Sequence, residues 1–265
     1  MSVPVALTIA GSDSGAGAGI QADLKTFAAL GVYGASVVTA LTAQNTKGVF
    51  AIHDVPADFI AAQMDAVLSD LDVNAVKIGM LANTAAIEAV AAGLDRHHVR
   101  NVVLDPVLLA SSGETLLRPS AIEALRKLIG HARMLTPNLD EAATLLSTVP
   151  ARDEAAMRLQ AEKLLAFGAK AVFIKGGHLD GPESVDLLVD ANGCEPFAAP
   201  RIATKNTHGT GCTISAAIAA GLAKGLSLHA AAREAKAYVT AAIAAADRLD
   251  IGSGHGPLHH FHEWW

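Results

Sequence analysis

Short β-branched runs alternate along this chain with longer Ala- and Leu-rich segments of helical period, and that alternation limits what it can fold into. Strands are expected at 3–10, 35–41, 75–78, 102–105, 134–136 and 171–175. Helices are expected at 18–30, 57–71, 84–94, 120–129, 139–146 and 154–167. A hairpin of 185–189 and 194–198 turns around Asn192-Gly193, and helices near 211–224 and 227–248 close the chain. Strand–helix alternation of this kind predicts an α/β fold: a mostly parallel sheet with helices on both faces. No Pro/Ser-rich linker or repeat interrupts it, so residues 1–265 read as one domain.

With 51% hydrophobic and 17% charged residues, a sizeable core can be buried and disorder is not expected. A net charge of -6 argues against a general nucleic-acid binder, which needs a basic surface to replace counterions. Cys194 and Cys212 lie far apart and form no CxxC pair, which fits a reducing compartment. The N-terminus runs into an apolar strand with neither a basic n-region nor a cleavage site. The Ala-rich stretch 211–224 is too short to span a bilayer. A soluble, cytoplasmic protein without membrane or nucleic-acid partners is expected.

Several expected strands end in glycine or a polar residue: Gly11 and Asp13, Gln44-Asn45, Gly79, Asp105-Pro106, Pro137-Asn138 and Lys175-Gly176-Gly177. Open α/β sheets bind ligands outside the carboxyl ends of their strands. Any one of these residues could simply open a loop; as a set they predict a shared site.

The segment Asn206-Thr207-His208-Gly209-Thr210-Gly211-Cys212-Thr213 runs into a helix. Glycine lets the backbone approach a ligand, and unpaired N–H groups at a helix start carry partial positive charge. Together they suit an anion hole for a transferring phosphoryl group. The plainer alternative is an ordinary helix start capped by Thr210 or Thr213. Cys212, just inside the helix, is expected to have a lowered pKa and to act as general base or to position a substrate alcohol. A small buried cysteine is the bland alternative.

Other phosphate motifs are absent: there is no GxxxxGK[ST], no HRD and no DFG. Gly15-Ala16-Gly17-Ala18-Gly19-Ile20-Gln21-Ala22 contains G-x-G-x-x-A after a strand. A dinucleotide site also needs an acid at the end of the second strand, and that strand ends Thr42-Ala43-Gln44-Asn45. A nicotinamide oxidoreductase is therefore disfavoured.

Taken together, several motifs resemble those of the hydroxymethylpyrimidine/phosphomethylpyrimidine kinases of thiamine biosynthesis, in the ribokinase superfamily. They are residues 10–25, 39–46, Lys77-Ile78-Gly79-Met80-Leu81, Val103-Leu104-Asp105-Pro106-Val107, Thr136–Ala142, Lys175-Gly176-Gly177-His178, Asn206–Ser215 and the ending Gly256–His262. The resemblance covers essentially the whole chain. Ala16 departs from it, since glycine is more usual there; it is expected to stiffen the loop without removing function.

The resemblance implies a ribokinase-like fold, a homodimer, and two ATP-dependent phosphorylations of 4-amino-5-hydroxymethyl-2-methylpyrimidine. It makes Gln44 a pyrimidine contact, and an amide's acceptor and donor do match an aminopyrimidine edge. Asp23 becomes a substrate contact, with a dipole-stabilised acid in the first helical turn as its alternative. Gly11, Met80 and Val107 line the substrate pocket, though Met80 equally suits a core. Asp105 and Glu141 are the acids expected to hold Mg²⁺ against ATP, partly through waters. Glu141 also sits at capping-box spacing from Asn138. Asn138, Lys175 and Thr207 are assigned to ATP phosphate, with a snorkelling surface lysine as the alternative for Lys175. His255, His259, His260 and His262 invite a metal reading, but Gly256-Pro257 breaks the helix it needs; a tail packed with Trp264 and Trp265 is the better account. Pyridoxal kinase and an idle ligand-binding protein on the same fold are the competing functions.

Overall fold

The computed structural model describes residues 3–110 and 113–265. The first half runs β1 (Val5–Asp13), α1 (Gly19–Ala29), β2 (Tyr33–Asn45), β3 (Gly48–Asp54), α2 (Ala57–Leu68), β4 (Ala75–Ile78), α3 (Thr84–Arg96) and β5 (Val102–Leu104). It continues α4 (Ile122–Leu128), β6 (Met134–Leu135), α5 (Leu139–Leu146), α6 (Glu154–Leu165), β7 (Ala171–Ile174), β8 (Glu183–Asp190), β9 (Gly193–Pro200), α7 (Thr210–Ala223) and α8 (Leu228–Ala244).

The strands form one nine-stranded sheet in the order β3-β2-β1-β4-β5-β6-β7-β8-β9. Strands β2, β1, β4, β5, β6 and β7 are parallel neighbours. Antiparallel ribbons finish both edges. Side chains alternate between the faces. Leu7, Ile9, Val76, Ile78, Val172 and Ile174 pack with α2 to α6. Ala6, Ala75, Val103, Ala171 and Phe173 pack with α1, α7 and α8. Burial on both faces explains why the central strands read as unbroken apolar runs.

α7 is buried all round from Thr213 to Leu222, as an apolar helix without a polar face must be. Its small residues allow the close approach: a Cβ on Gly221 would stand 2.8 Å from that of Ala231 in α8.

The sequence reading missed β3 and stopped β2 at 41. Both departures lie in the outer ribbon, where Phe50 is 70% exposed and no second apolar face marks a buried strand. The expected hairpin 185–198 is present as β8–β9. No helix among the described residues is long and apolar enough to cross a membrane.

Candidate active site

At the carboxyl ends of the parallel strands lies a cleft of about 870 Å³. It is lined by Gly11 and Asp13 from β1, Gln44 from β2, Met80 after β4, Asp105 and Val107 after β5, Asn138 after β6 and Lys175 after β7. The convergence expected from the strand ends is therefore present. A volume of that size accommodates a nucleotide and a small second ligand side by side.

Thr207 to Cys212 line the same cleft. Gly209 is the N-cap of α7, at φ +84, a left-handed conformation that favours glycine. Space demands glycine there too, because a Cβ would stand 1.9 Å from the Gly17 carbonyl oxygen. No side chain caps the helix; Thr210 Oγ1 turns back to the Thr207 carbonyl, and Thr213 Oγ1 bonds the Gly209 carbonyl. The N–H groups of Gly211 and Cys212 have no carbonyl one turn back, and both residues face the cleft. An uncapped helix start of this kind presents partial positive charge to the cleft.

Beside it stands a half-buried cation. Lys175 Nζ lies 2.8 Å from Asp105 Oδ1 and 3.7 Å from Glu141 Oε2. A Cβ on Gly211 would come within 3.2 Å of Nζ, so this glycine keeps the approach between lysine and helix open. The two carboxylates hold Lys175 firmly protonated despite its burial. It is not a snorkelling surface residue. Asp105 is further held by the hydroxyls of Thr136 and Ser215, each 3.3 Å away.

Glu141 closes the expected capping box with Asn138: its Oε2 accepts from the Asn138 N–H at 2.7 Å, and the Asn138 amide oxygen caps the Glu141 N–H. It is buried rather than solvated, and burial pushes its carboxyl up to about 7 against the pull of Lys175. Two hard carboxylates beside the start of α7 are the donor type Mg²⁺ prefers, and they fit that ion.

Two expectations are corrected. Asp23 does not line the cleft. It lies past the first turn of α1, fully buried under the sheet end, accepting from Thr8 Oγ1 at 2.6 Å and from Lys77 Nζ at 2.9 Å. Lys77, itself fully buried, lies between Asp23 and the cleft wall, so Asp23 is the counter-ion of a lysine beneath the pocket. The Cys212 thiol is not acidified. Desolvation pushes it up to about 11, outweighing the help of Lys77, and the acids Asp23 and Asp105 add to the rise.

The remaining substrate-side positions are brought together. Gly11 sits at a bulge in β1, where a Cβ would stand 2.9 Å from Met80 Sδ. Met80 and Val107 form a small apolar wall with Ala40 and Ala82. The terminal histidines scatter: His255 bonds the Lys205 carbonyl, His259 packs on Trp265, His260 faces the Thr213 hydroxyl and His262 lies by Tyr238. Sequence reasoning passed over Lys77 and His208 and saw Asp13 only as a strand end. All three line the cleft, and Asp13 followed by a glycine-rich run was the one local signal.

The model of the phosphomethylpyrimidine kinase family matches residues 13–259. The chain is 61% identical over 262 residues to a hydroxymethylpyrimidine/phosphomethylpyrimidine kinase of Rhizobium meliloti, covering 98% of each. It is 54% identical over 261 residues to the Escherichia coli protein of that name, again covering 98% of each. Its fold is similar to a pyridoxal kinase of Bacillus subtilis in complex with ADP (TM-score 0.91, 38% identity, 98% of each chain). It is also similar to a phosphomethylpyrimidine kinase of Clostridium difficile (TM-score 0.81, 44% identity, 91% of this chain and 100% of that one). The architecture is ribokinase-like, as the motifs implied, and on matches that span nearly its whole length the chain belongs to the phosphomethylpyrimidine kinase family.

Proposed function

We propose that this protein uses ATP to phosphorylate 4-amino-5-hydroxymethyl-2-methylpyrimidine to its monophosphate, and then to the diphosphate used in thiamine synthesis. The observation that carries this reading is the uncapped start of α7 facing Lys175 across a cleft that also contains Gln44. Phosphoryl transfer passes through a loose transition state, so catalysis is mostly positioning and charge stabilisation. The amides of Gly209 to Cys212 and the Lys175 ammonium receive the charge that develops on the transferring group. Asn138 and Thr207 bind the remaining phosphate oxygens. Asp105 and Glu141 hold Mg²⁺, which neutralises phosphate charge when bound.

On the other side, Gln44 takes the aminopyrimidine edge, while Met80 and Val107 contact the ring faces. Gly11 lets the ring lie close to the strand. Cys212 meets the substrate hydroxyl as a neutral thiol that positions it. The apolar residues Leu41, Phe50 and Ile52, exposed on the β2–β3 ribbon, support a homodimer. Two free cysteines support a reducing, cytoplasmic setting.

Incubating the purified protein with Mg-ATP and the hydroxymethylpyrimidine, with products followed by mass spectrometry, tests the reading. Mono- and then diphosphate are expected. Formation of pyridoxal phosphate alone would move the assignment to pyridoxal, the substrate class of the structurally similar kinases.

A further inference from the structure

Asp13 and His208 are 195 residues apart in sequence, yet the imidazole Nε2 lies 2.9 Å from Asp13 Oδ2 inside the wall of the cleft. Asp13 is 3% exposed and His208 9%. The same carboxylate accepts the N–H groups of Gly15, Gly17 and Ala18, tying the glycine-rich loop to the phosphate-binding segment. The ring fills the space a side chain at Gly17 would need, since a Cβ there would come 2.2 Å from Cδ2. The ring is therefore wedged in place. Its Nε2 also lies 3.3 Å from the Gln44 carboxamide atom placed as Nε2, while the atom placed as Oε1 is 3.0 Å from Thr42 Oγ1.

Counting protons along this chain settles which way the amide points. An ionised Asp13 only accepts, so His208 Nε2 carries a hydrogen. That hydrogen goes to Asp13, which leaves Nε2 no lone pair to accept from an NH₂, so the carbonyl oxygen is the end of Gln44 that suits this position. At the far end, the single hydroxyl hydrogen of Thr42 goes to the Ser12 carbonyl oxygen 2.9 Å away, which also only accepts. The Gln44 atom facing Thr42 must then be the NH₂. The two ends demand the same orientation independently. A half-turn of the carboxamide exchanges its O and N without moving the group, so the hydrogen bonds alone decide between the two orientations.

We infer that Asp13 and His208 are a positioning pair that locks the Gln44 carboxamide in one orientation and so makes the site select a 4-aminopyrimidine over its 4-oxo counterpart. This rests on Gln44 being the pyrimidine contact. The amino compound presents a ring-nitrogen acceptor beside an NH₂ donor; the oxo compound presents a ring N–H beside a carbonyl, the reverse pattern. Turning the ring over would restore the match only by moving the 5-hydroxymethyl group away from Cys212. With neither end held, Gln44 rotates to suit either compound.

The test is binding of 4-amino-5-hydroxymethyl-2-methylpyrimidine and its 4-oxo analogue to the full-length protein by calorimetry. In the native protein the amino compound should bind about tenfold or more tightly than the oxo compound. His208→Ala should reduce that ratio several-fold, the Thr42 end alone still favouring one orientation, and His208→Gln, which keeps an N–H at similar reach, should retain most of it. A variant that weakens both ligands equally, with the ratio intact, would give His208 a purely structural role and overturn the inference. So would a native ratio near unity. Native protein that binds neither compound would instead remove the pyrimidine reading. Ring ¹⁵N shifts of His208 in the native protein supply a check without substitution: Nε2 should be protonated, and a neutral ring protonated only on Nδ1 would break the lock.

Discussion

Lys175 Nζ stands 2.8 Å from Asp105 and 3.7 Å from Glu141, one half-buried cation between two buried acids beside the start of α7. A methylene stem without the charge removes both the counter-ion of the acids and a phosphate ligand. Lys175→Met is expected to lower kcat by about 10²–10³, the scale for losing one preorganised oxyanion donor. Steady-state kinetics check it.

Glu141 has its carboxyl raised to about 7 by burial. Metal binding requires the deprotonated form, so Mg²⁺ affinity of the free protein should fall as pH drops below about 7 and level off above it. The limiting slope is about tenfold per pH unit for one proton displaced. Calorimetric Mg²⁺ titrations between pH 6 and 8 measure it, and Glu141→Gln should flatten the dependence.

Cys212, raised to about 11, is almost wholly protonated near neutrality. If its thiolate were the obligatory base, kcat would climb about tenfold per pH unit from 7 to 9. The expected profile lacks that climb. Cys212→Ser should retain kcat within about tenfold, because a hydroxyl can also position the substrate alcohol. A steep climb abolished by the serine variant would restore the thiolate as base.

Asp23 and Lys77 form a pair with both side chains fully buried. Removing one partner strands the other, at a cost of about 3–5 kcal/mol. Lys77→Met and Asp23→Leu are each expected to destabilise by that order in urea unfolding. The double variant should lose distinctly less than the sum, because neither charge is left alone.

Ala16 occupies φ +61, in the left-handed region. Glycine relieves a strain of about 1–2 kcal/mol there, offset by about 0.4–1 kcal/mol of added unfolded-state entropy. Ala16→Gly should therefore stabilise by about 0–1.6 kcal/mol, read as a small rise in Tm with activity retained.

The α/β class, the central strands and the α7 start were legible in the chain because they depend on local periodicity and on residues adjacent in sequence. The Asn138–Glu141 capping box was legible for the same reason: its donors and acceptors lie three residues apart. Packing decided the rest. Asp23 looked like a ligand-facing acid until the turn of α1 placed it over Lys77, and Cys212 looked acidified until its desolvation was known. Helix-dipole position can be read from sequence, but solvent exclusion depends on what other segments cover. The Asp13–His208 contact closes across almost the whole chain, so no local pattern could announce it. Sequence by itself determined the fold class and which strand ends and helix start would share a cleft; only the tertiary structure decided which charges meet there and which are desolvated, because charge pairing and desolvation are properties of neighbours in space.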